Sequence, residues 1–409
     1  MTRRLVPLAV ALAMVVSGGA APAYQGRTHA GLTERAALAS TLHRLLTERL
    51  GRPLGLYEPL ALVHRAIEDP LLRTRLGALD PAGGYAPDAH EEATALGWLT
   101  SGAVLEGVPA ARNGNHFFDP KTGVGLTGGG FGAALRTRVA DVSQGIGTVR
   151  GLLTGSSFGG SGRAAPAWIF APRSVNDWGL ERFLDERERS AAAPTSAERD
   201  DALARALLAA GSIVHVLEDM GDPGNVRAER SLASARAAYD RAVDAAFGRL
   251  AVPPPAGPAP VATRLLALFS APGGSGLADR TYREAGLAWG KDARADQVTA
   301  ARLLPEIGAY ATAAIELLFR GQLGVEASAR SLTAVAHELA LGPGEISIYA
   351  DNAQHLRKRL ATRELHGAPD GALLLSTDRP DWAEHATAIF RGVDASGEPI
   401  VIVQEQSLK

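Results

Sequence analysis

Apolar residues recur at helical spacing through residues 33–80, in "ERAALASTLHRLLTERL" and "EPLALVHRAIEDPLLRTRL", with breaks at Gly51-Arg52-Pro53 and Asp69-Pro70. The pattern predicts two helices there and a third in "HEEATALGWLTSGAVLEG". It lapses over the Gly-rich stretch 121–162, which lacks the Lys-Ser/Thr ending of a phosphate-cradling loop and reads as a long surface loop. Helical spacing returns in "NDWGLERFLDERERSA", where Asn176 or Asp177 can cap, and in "SAERDDALARALLAAGSIVHVLEDM". It continues in "ASARAAYDRAVDAAFGRL", "VATRLLALF" and "LPEIGAYATAAIELLFRGQL", with the stiff connection "VPPPAGPAP" between the first two.

Beyond about Val325 the period shortens. "RSLTAVAHELAL", "GEISIYAD", "GALLLSTD", "HATAIFRGVD" and "PIVIVQEQ" are β-favouring runs divided by Gly, Pro and Asp turn signals. The chain thus reads as mainly α, with a helical domain over 24–324 and a small β domain over 325–409. Ahead of both, Arg3 and Arg4 precede an apolar run from Leu5 to Val16 and a small-residue end at Ala21-Pro22-Ala23. That layout predicts a signal peptide over 1–23, export, and Tyr24 as the new N-terminus, with Ala20 the alternative cut.

A length of 409 residues suits about two domains. With 46% hydrophobic and 21% charged residues the chain is of globular type, and a net charge of -2 makes no case for nucleic acid as partner. The absence of cysteine has more consequence: it excludes disulfides, a zinc-thiolate site and a Cys nucleophile. An exported chain of this kind rests on its core, or on a metal held by His and carboxylate.

His and carboxylate do fall together in "HVLEDMGDPGN", residues 215–225. On a helix His215 and Asp219 project from one face, and zinc accepts imidazole with carboxylate. Gly211 and Ser212 lie beside the histidine, where another segment can come close. An Asp at a helix C-terminus also opposes the macrodipole, which asks for a cation. The competing reading is an acidic helix end that contains a histidine. "NGNHFFDPKTG" sets His116 beside two Phe, as a ligand or as a packed core histidine, and His29 lies six residues into the processed chain. A free α-amino group there, with a pKa of about 8, is itself a potential ligand. Glu218 is expected to take no part.

A His near a processed N-terminus, then His-Phe-Phe-Asp-Pro, then His-x-x-x-Asp-x-x-x-Pro on a helix resembles the zinc-dependent phospholipase C / S1–P1 nuclease superfamily, in its bacterial phospholipase C-like branch. The resemblance covers roughly residues 24–245. It implies a helical domain with a three-zinc cleft, a C-terminal β-sandwich, hydrolysis of phospholipid or another phosphodiester, and a peripheral contact with a membrane surface. By the resemblance His116, His215 and Asp219 hold one zinc, while the Tyr24 amino group, His29 and a bridging Asp219 hold another. Glu106 stands for the family's acidic base or ligand, although the Asp expected beside it is Gly107. The third ion is expected to be missing, because Asn225 replaces a His and the later His-x-x-x-Glu pair reads Arg236 and Asp240. One or two zinc ions follow, in a weakened hydrolase or in an inactive member that serves as a binding module.

Overall fold

The computed structural model describes residues 26–63, 72, 76, 92–108, 110–126, 162–227, 239–240, 242–244, 260, 262, 264–285 and 292–408. The expected signal segment, Tyr24, Arg236, most of the Gly-rich stretch and most of "VPPPAGPAP" lie outside them. Among the described residues ten α-helices are α1 (Gly26–Ala39), α2 (Leu42–Arg49), α3 (Ala95–Glu106), α4 (Ala165–Ile169), α5 (Leu180–Ala192), α6 (Ser196–Glu218), α7 (Pro223–Arg227), α8 (Leu265–Phe269), α9 (Leu277–Glu284) and α10 (Ala293–Leu318). The first helical run of the sequence is thus two helices, broken at Ser40-Thr41, where the Ser40 hydroxyl accepts from Leu42 N.

Helix α6 organises the rest. From Ala202 to Glu218 every residue is buried. A helix apolar on all sides needs neighbours on all sides, and α3, α5 and α10 pack against it, with α1 packed on α3 and α10. Its start is set by Thr195, whose hydroxyl accepts from Glu198 N while Glu198 Oε2 accepts from Thr195 N at 3.1 Å. Thr195→Ala is expected to lower stability by about 1 kcal/mol, read as a shift of the urea midpoint at constant slope.

Helix α3 crosses α6 at Gly102 and Gly211. A Cβ at Gly211 would lie 2.0 Å from Leu99 O, and one at Gly102 would lie 2.1 Å from Leu208 O. Backbone therefore rests on backbone, and Ser212 Oγ donates to Gly102 O at 3.1 Å. The close approach anticipated beside His215 is this crossing.

The segment read as a helix from Glu58 starts instead as a strand, β1 (Pro59–Ala61), antiparallel to β2 (Glu92–Thr94). Leu60 is its buried residue, and Trp98 Nε1 donates to Leu60 O at 2.8 Å. Pairing and the indole override the local helical spacing.

The C-terminal part consists of β3 (Gln322–Ala327), β4 (Ser331–His337), β5 (Leu341–Asp351), β6 (Arg357–Leu365), β7 (Leu373–Asp378), β8 (His385–Asp394) and β9 (Pro399–Ser407). All pairings are antiparallel, in one sheet ordered β3-β4-β7 and another ordered β6-β5-β8-β9. Side chains of both sheets, among them Leu332, Leu375, Ile346, Ile348 and Phe390, make one apolar core. The fold is mainly α followed by a two-sheet β region. Strand β3 starts within the run read as helical. Strand β6, "RKRLATREL", carries too many charges to read as a strand, and it is an edge strand, where such charges block further pairing.

The β region is moored to the helices by ion pairs. Arg391 on β8 meets Asp185 and Glu188 on α5, and Arg357 on β6 donates to Ala191 O. Arg320, just past α10, pairs with Asp394 at 2.8 Å.

Candidate metal centre

The last turn of α6 delivers His215 and Asp219 from one face. His215 Nε2 stands 3.4 Å from Asp219 Oδ2. Helix α1 brings His29 against the same carboxylate, with Nε2 3.3 Å from Oδ1. The His29 and His215 rings are stacked, centroids 3.7 Å apart. His116, which follows a 3-10 turn over Ala110–Asn115, meets Asp219 Oδ2 through Nδ1 at 2.7 Å. Three imidazoles therefore surround one carboxylate, and all four residues are at most 1% exposed.

The second nitrogen of each ring has its own partner. His215 Nδ1 donates to Ala103 O at 2.5 Å, so its Nε2 carries the lone pair. The α3–α6 crossing sets that bond, since it places the α3 backbone against the α6 face. His29 Nδ1 bonds Glu218 Oε2 at 2.6 Å, and Thr33 Oγ1 donates to Glu218 Oε1 at 2.8 Å. Glu218, expected to be idle, is fully buried and fixes the orientation of His29. It lies next to Asp219 in sequence and turns toward α1, a direction that only the packing of α1 reveals. His116 Nε2 meets Glu106 Oε1 at 3.2 Å.

The ligand atoms of His29, His215 and Asp219 all lie within 4.8 Å of one another. A tetrahedral ion with bonds of about 2.0–2.2 Å sets its ligand atoms about 3.3–3.6 Å apart; His29 Nε2 lies 3.3 Å from Oδ1 and His215 Nε2 3.4 Å from Oδ2, each within that range for one oxygen of the carboxylate. His215 Nε2 and Asp219 Oδ1 are buried with no hydrogen-bond partner, a costly state that a cation would relieve.

Charge is divided accordingly. Burial pulls the His29 imidazole down, but the hydrogen bonds and charges of Asp219 and Glu218 outweigh it and lift the pKa to about 9. His215 is pushed down to about 4 by burial and by the neighbouring His29 charge. Burial also opposes the charged form of His116, and Asp219 and Glu106 overcome it, so this ring is raised. Against its own burial, Asp219 is held well below the usual carboxylate range by His215, His116 and His29.

Glu106, the expected base or ligand, ends α3 and is engaged on both oxygens. Trp168 Nε1 donates to Oε1 at 2.8 Å, and Arg112 Nη2 donates to Oε2 at 2.6 Å. Despite burial, Arg112 and His116 keep its carboxyl well below the ordinary range, which lowers the proton affinity a base would need. Arg112 was unmarked in the sequence. It also reaches Asp177 Oδ1 at 2.6 Å and Asn176 Oδ1 at 2.8 Å, and lies over the Trp168 ring. Asn176 thus organises this loop instead of capping α5.

Asp240 is buried but is not one of the three residues grouped about Asp219, and Tyr24 lies outside the described residues. Asn225, in the turn after α6, is fully buried, and neither atom of its carboxamide has a hydrogen-bond partner. Its main-chain carbonyl accepts from Phe118 N at 3.0 Å, which ties the His-Phe-Phe stretch to α7. No described helix is long and apolar enough to cross a membrane.

No family model matches the sequence, and no curated protein matches it. Solved structures similar to this chain include two that align along nearly all of both lengths. The alpha-toxin of Clostridium perfringens, from avian strain SWCP, is 10% identical with a TM-score of 0.33, over 93% of this chain and 98% of that one. The alpha toxin of Clostridium absonum is 9% identical with a TM-score of 0.31, over 94% of this chain and 95% of that one.

Proposed function

We propose that this chain is an exported, metal-dependent phosphodiester hydrolase of phospholipase C type, working with one or two zinc ions rather than three. The convergence of His29, His215 and Asp219 carries the reading, joined to the His-Phe-Phe-Asp-Pro and His-x-x-x-Asp motifs. The donors suit zinc: two imidazoles and a carboxylate, with each outer nitrogen tied to Ala103 O or Glu218 so that Nε2 faces inward. When bound, zinc would neutralise a phosphodiester's charge and acidify a water for in-line attack. Glu218 and Ala103 O hold the ligands in their tautomers, and His116 steadies the second oxygen of Asp219. In this reading residues 24–324 act on the substrate, with the amino group of a processed Tyr24 as a further ligand. The β region, 325–409, bears the exposed Trp382, Leu356 and Leu373 for contact with a lipid surface.

Metal analysis and phosphatidylcholine hydrolysis on the processed chain test the proposal. Bound zinc and a loss of hydrolysis in His116→Ala are expected; no metal and no effect of the substitution defeats it. The pH dependence has a definite sign. His29 holds its proton below about 9, and zinc must displace it, so affinity should tighten by about tenfold per pH unit from 7 toward 9 and then level off. In the metal-free protein the charged His29 stabilises the fold below its ordinary pKa of 6.5, and that contribution is lost as pH rises through about 9.

Asn225 favours a second reading, in which the centre binds metal for stability and the chain is a catalytically inactive binding module. Stoichiometric zinc without hydrolysis of any phosphodiester separates the two.

A further inference from the structure

Arg112 lies on the side of the centre occupied by Glu106 and His116. Its guanidinium is bound on one edge to Glu106 Oε2, with Asn176 and Asp177 completing its partners. Glu106 Oε1 accepts from Trp168 Nε1 and meets His116 Nε2. His116 spends its remaining nitrogen on Asp219 Oδ2. The result is a continuous chain, Arg112–Glu106–His116–Asp219, in which nitrogen groups and carboxylates alternate.

We infer that Arg112 is a built-in counter-cation that keeps Glu106 and His116 out of the ligand set, so that the centre holds a single divalent ion on His29, His215 and Asp219. The inference rests on the metal reading above and narrows it. Two physical reasons support it. An ion on Glu106 would have to displace donors already at 2.6 and 2.8 Å, and it would face a guanidinium that cannot lose its charge. By contrast, Asp219 Oδ1 and His215 Nε2 have no hydrogen bond to give up, and His215 Nε2 stands 3.4 Å from Oδ2. The carboxylate is thus divided: Oδ2 takes the 2.7 Å bond of His116, and Oδ1 faces His29 Nε2 at 3.3 Å.

The test is zinc stoichiometry of the full processed chain, by elemental analysis after equilibration with zinc and removal of excess, with circular dichroism melts to establish folding. One zinc per chain is expected for the wild type and for Glu106→Gln. Arg112→Gln, which removes the charge and keeps hydrogen-bonding capacity, should raise the value to two, and the double substitution should return it to one. Two zincs in the wild type falling to one in Glu106→Gln overturns the inference alone, because Glu106 would then be a ligand. A folded Arg112→Gln protein that stays at one also overturns it. No zinc in the wild type overturns the metal reading itself, and this inference with it. Should Arg112→Gln not fold, Glu106→Gln decides.

Discussion

Asp219→Ala is expected to abolish stoichiometric zinc binding and to lower phosphodiester hydrolysis by more than about 100-fold, beyond the effect of losing an outer-shell partner. Asp219 is the point on which His29, His116 and His215 converge, at 3.3, 2.7 and 3.4 Å. No other described carboxylate meets all three rings. Without it the raised proton affinities of His29 and His116 lose their main support, and the stacked rings of His29 and His215 are left with lone pairs facing an apolar gap. Breaking a buried pair of this kind costs about 3–5 kcal/mol, so the metal-free variant should also unfold at lower urea than the metal-free wild type. Glu218→Gln is the graded comparison: zinc should remain, bound about 10–100-fold more weakly. Full zinc content and unchanged stability in Asp219→Ala would refute the assignment of Asp219 as the centre of the site.

Gly211→Ala is expected to destabilise the protein by about 3 kcal/mol, a sign opposite to the usual one. In an ordinary helix interior the change from Gly to Ala is favourable by roughly 0.5–1 kcal/mol. Here the added methyl would meet Leu99 O at 2.0 Å and Ala103 N at 2.8 Å, both backbone atoms with nowhere to rotate. The two helices must separate, and overpacking of a tight core costs about 1–3 kcal/mol or more. Separation also carries Ala103 O away from His215 Nδ1, so zinc affinity should fall along with stability. Urea denaturation with and without chelator measures the first effect, and a zinc titration measures the second. A variant as stable as wild type would show that α3 and α6 are not in backbone contact.

The His215–Asp219 pair was legible from spacing, because residues four apart on a helix share a face whatever surrounds them. So was the room for a close neighbour beside it, since Gly211 and Ser212 are small residues one turn before the histidine in an Ala- and Leu-rich helix. Most strands of the C-terminal region were legible for a related reason: "HATAIFRGVD" and "PIVIVQEQ" are rich in β-branched and apolar residues between turn signals. Strand β6 was not, as its charges describe its place at a sheet edge rather than its backbone. Strand β1 was hidden too, because its partner lies some thirty residues away and its own three residues carry no β signal.

By itself, then, the sequence determined what repeats along one element: helical faces, short strands, and the two metal-capable side chains at the end of α6. Only the tertiary structure decided what each of those side chains meets. Glu218 became the partner of His29 because α1 packs beside α6, and Arg112 took hold of Glu106 because a loop folds back across the end of α3. Such contacts join residues 6 and 189 positions apart alike. No periodicity encodes them, since they depend on which buried charges must be paired once water has been excluded.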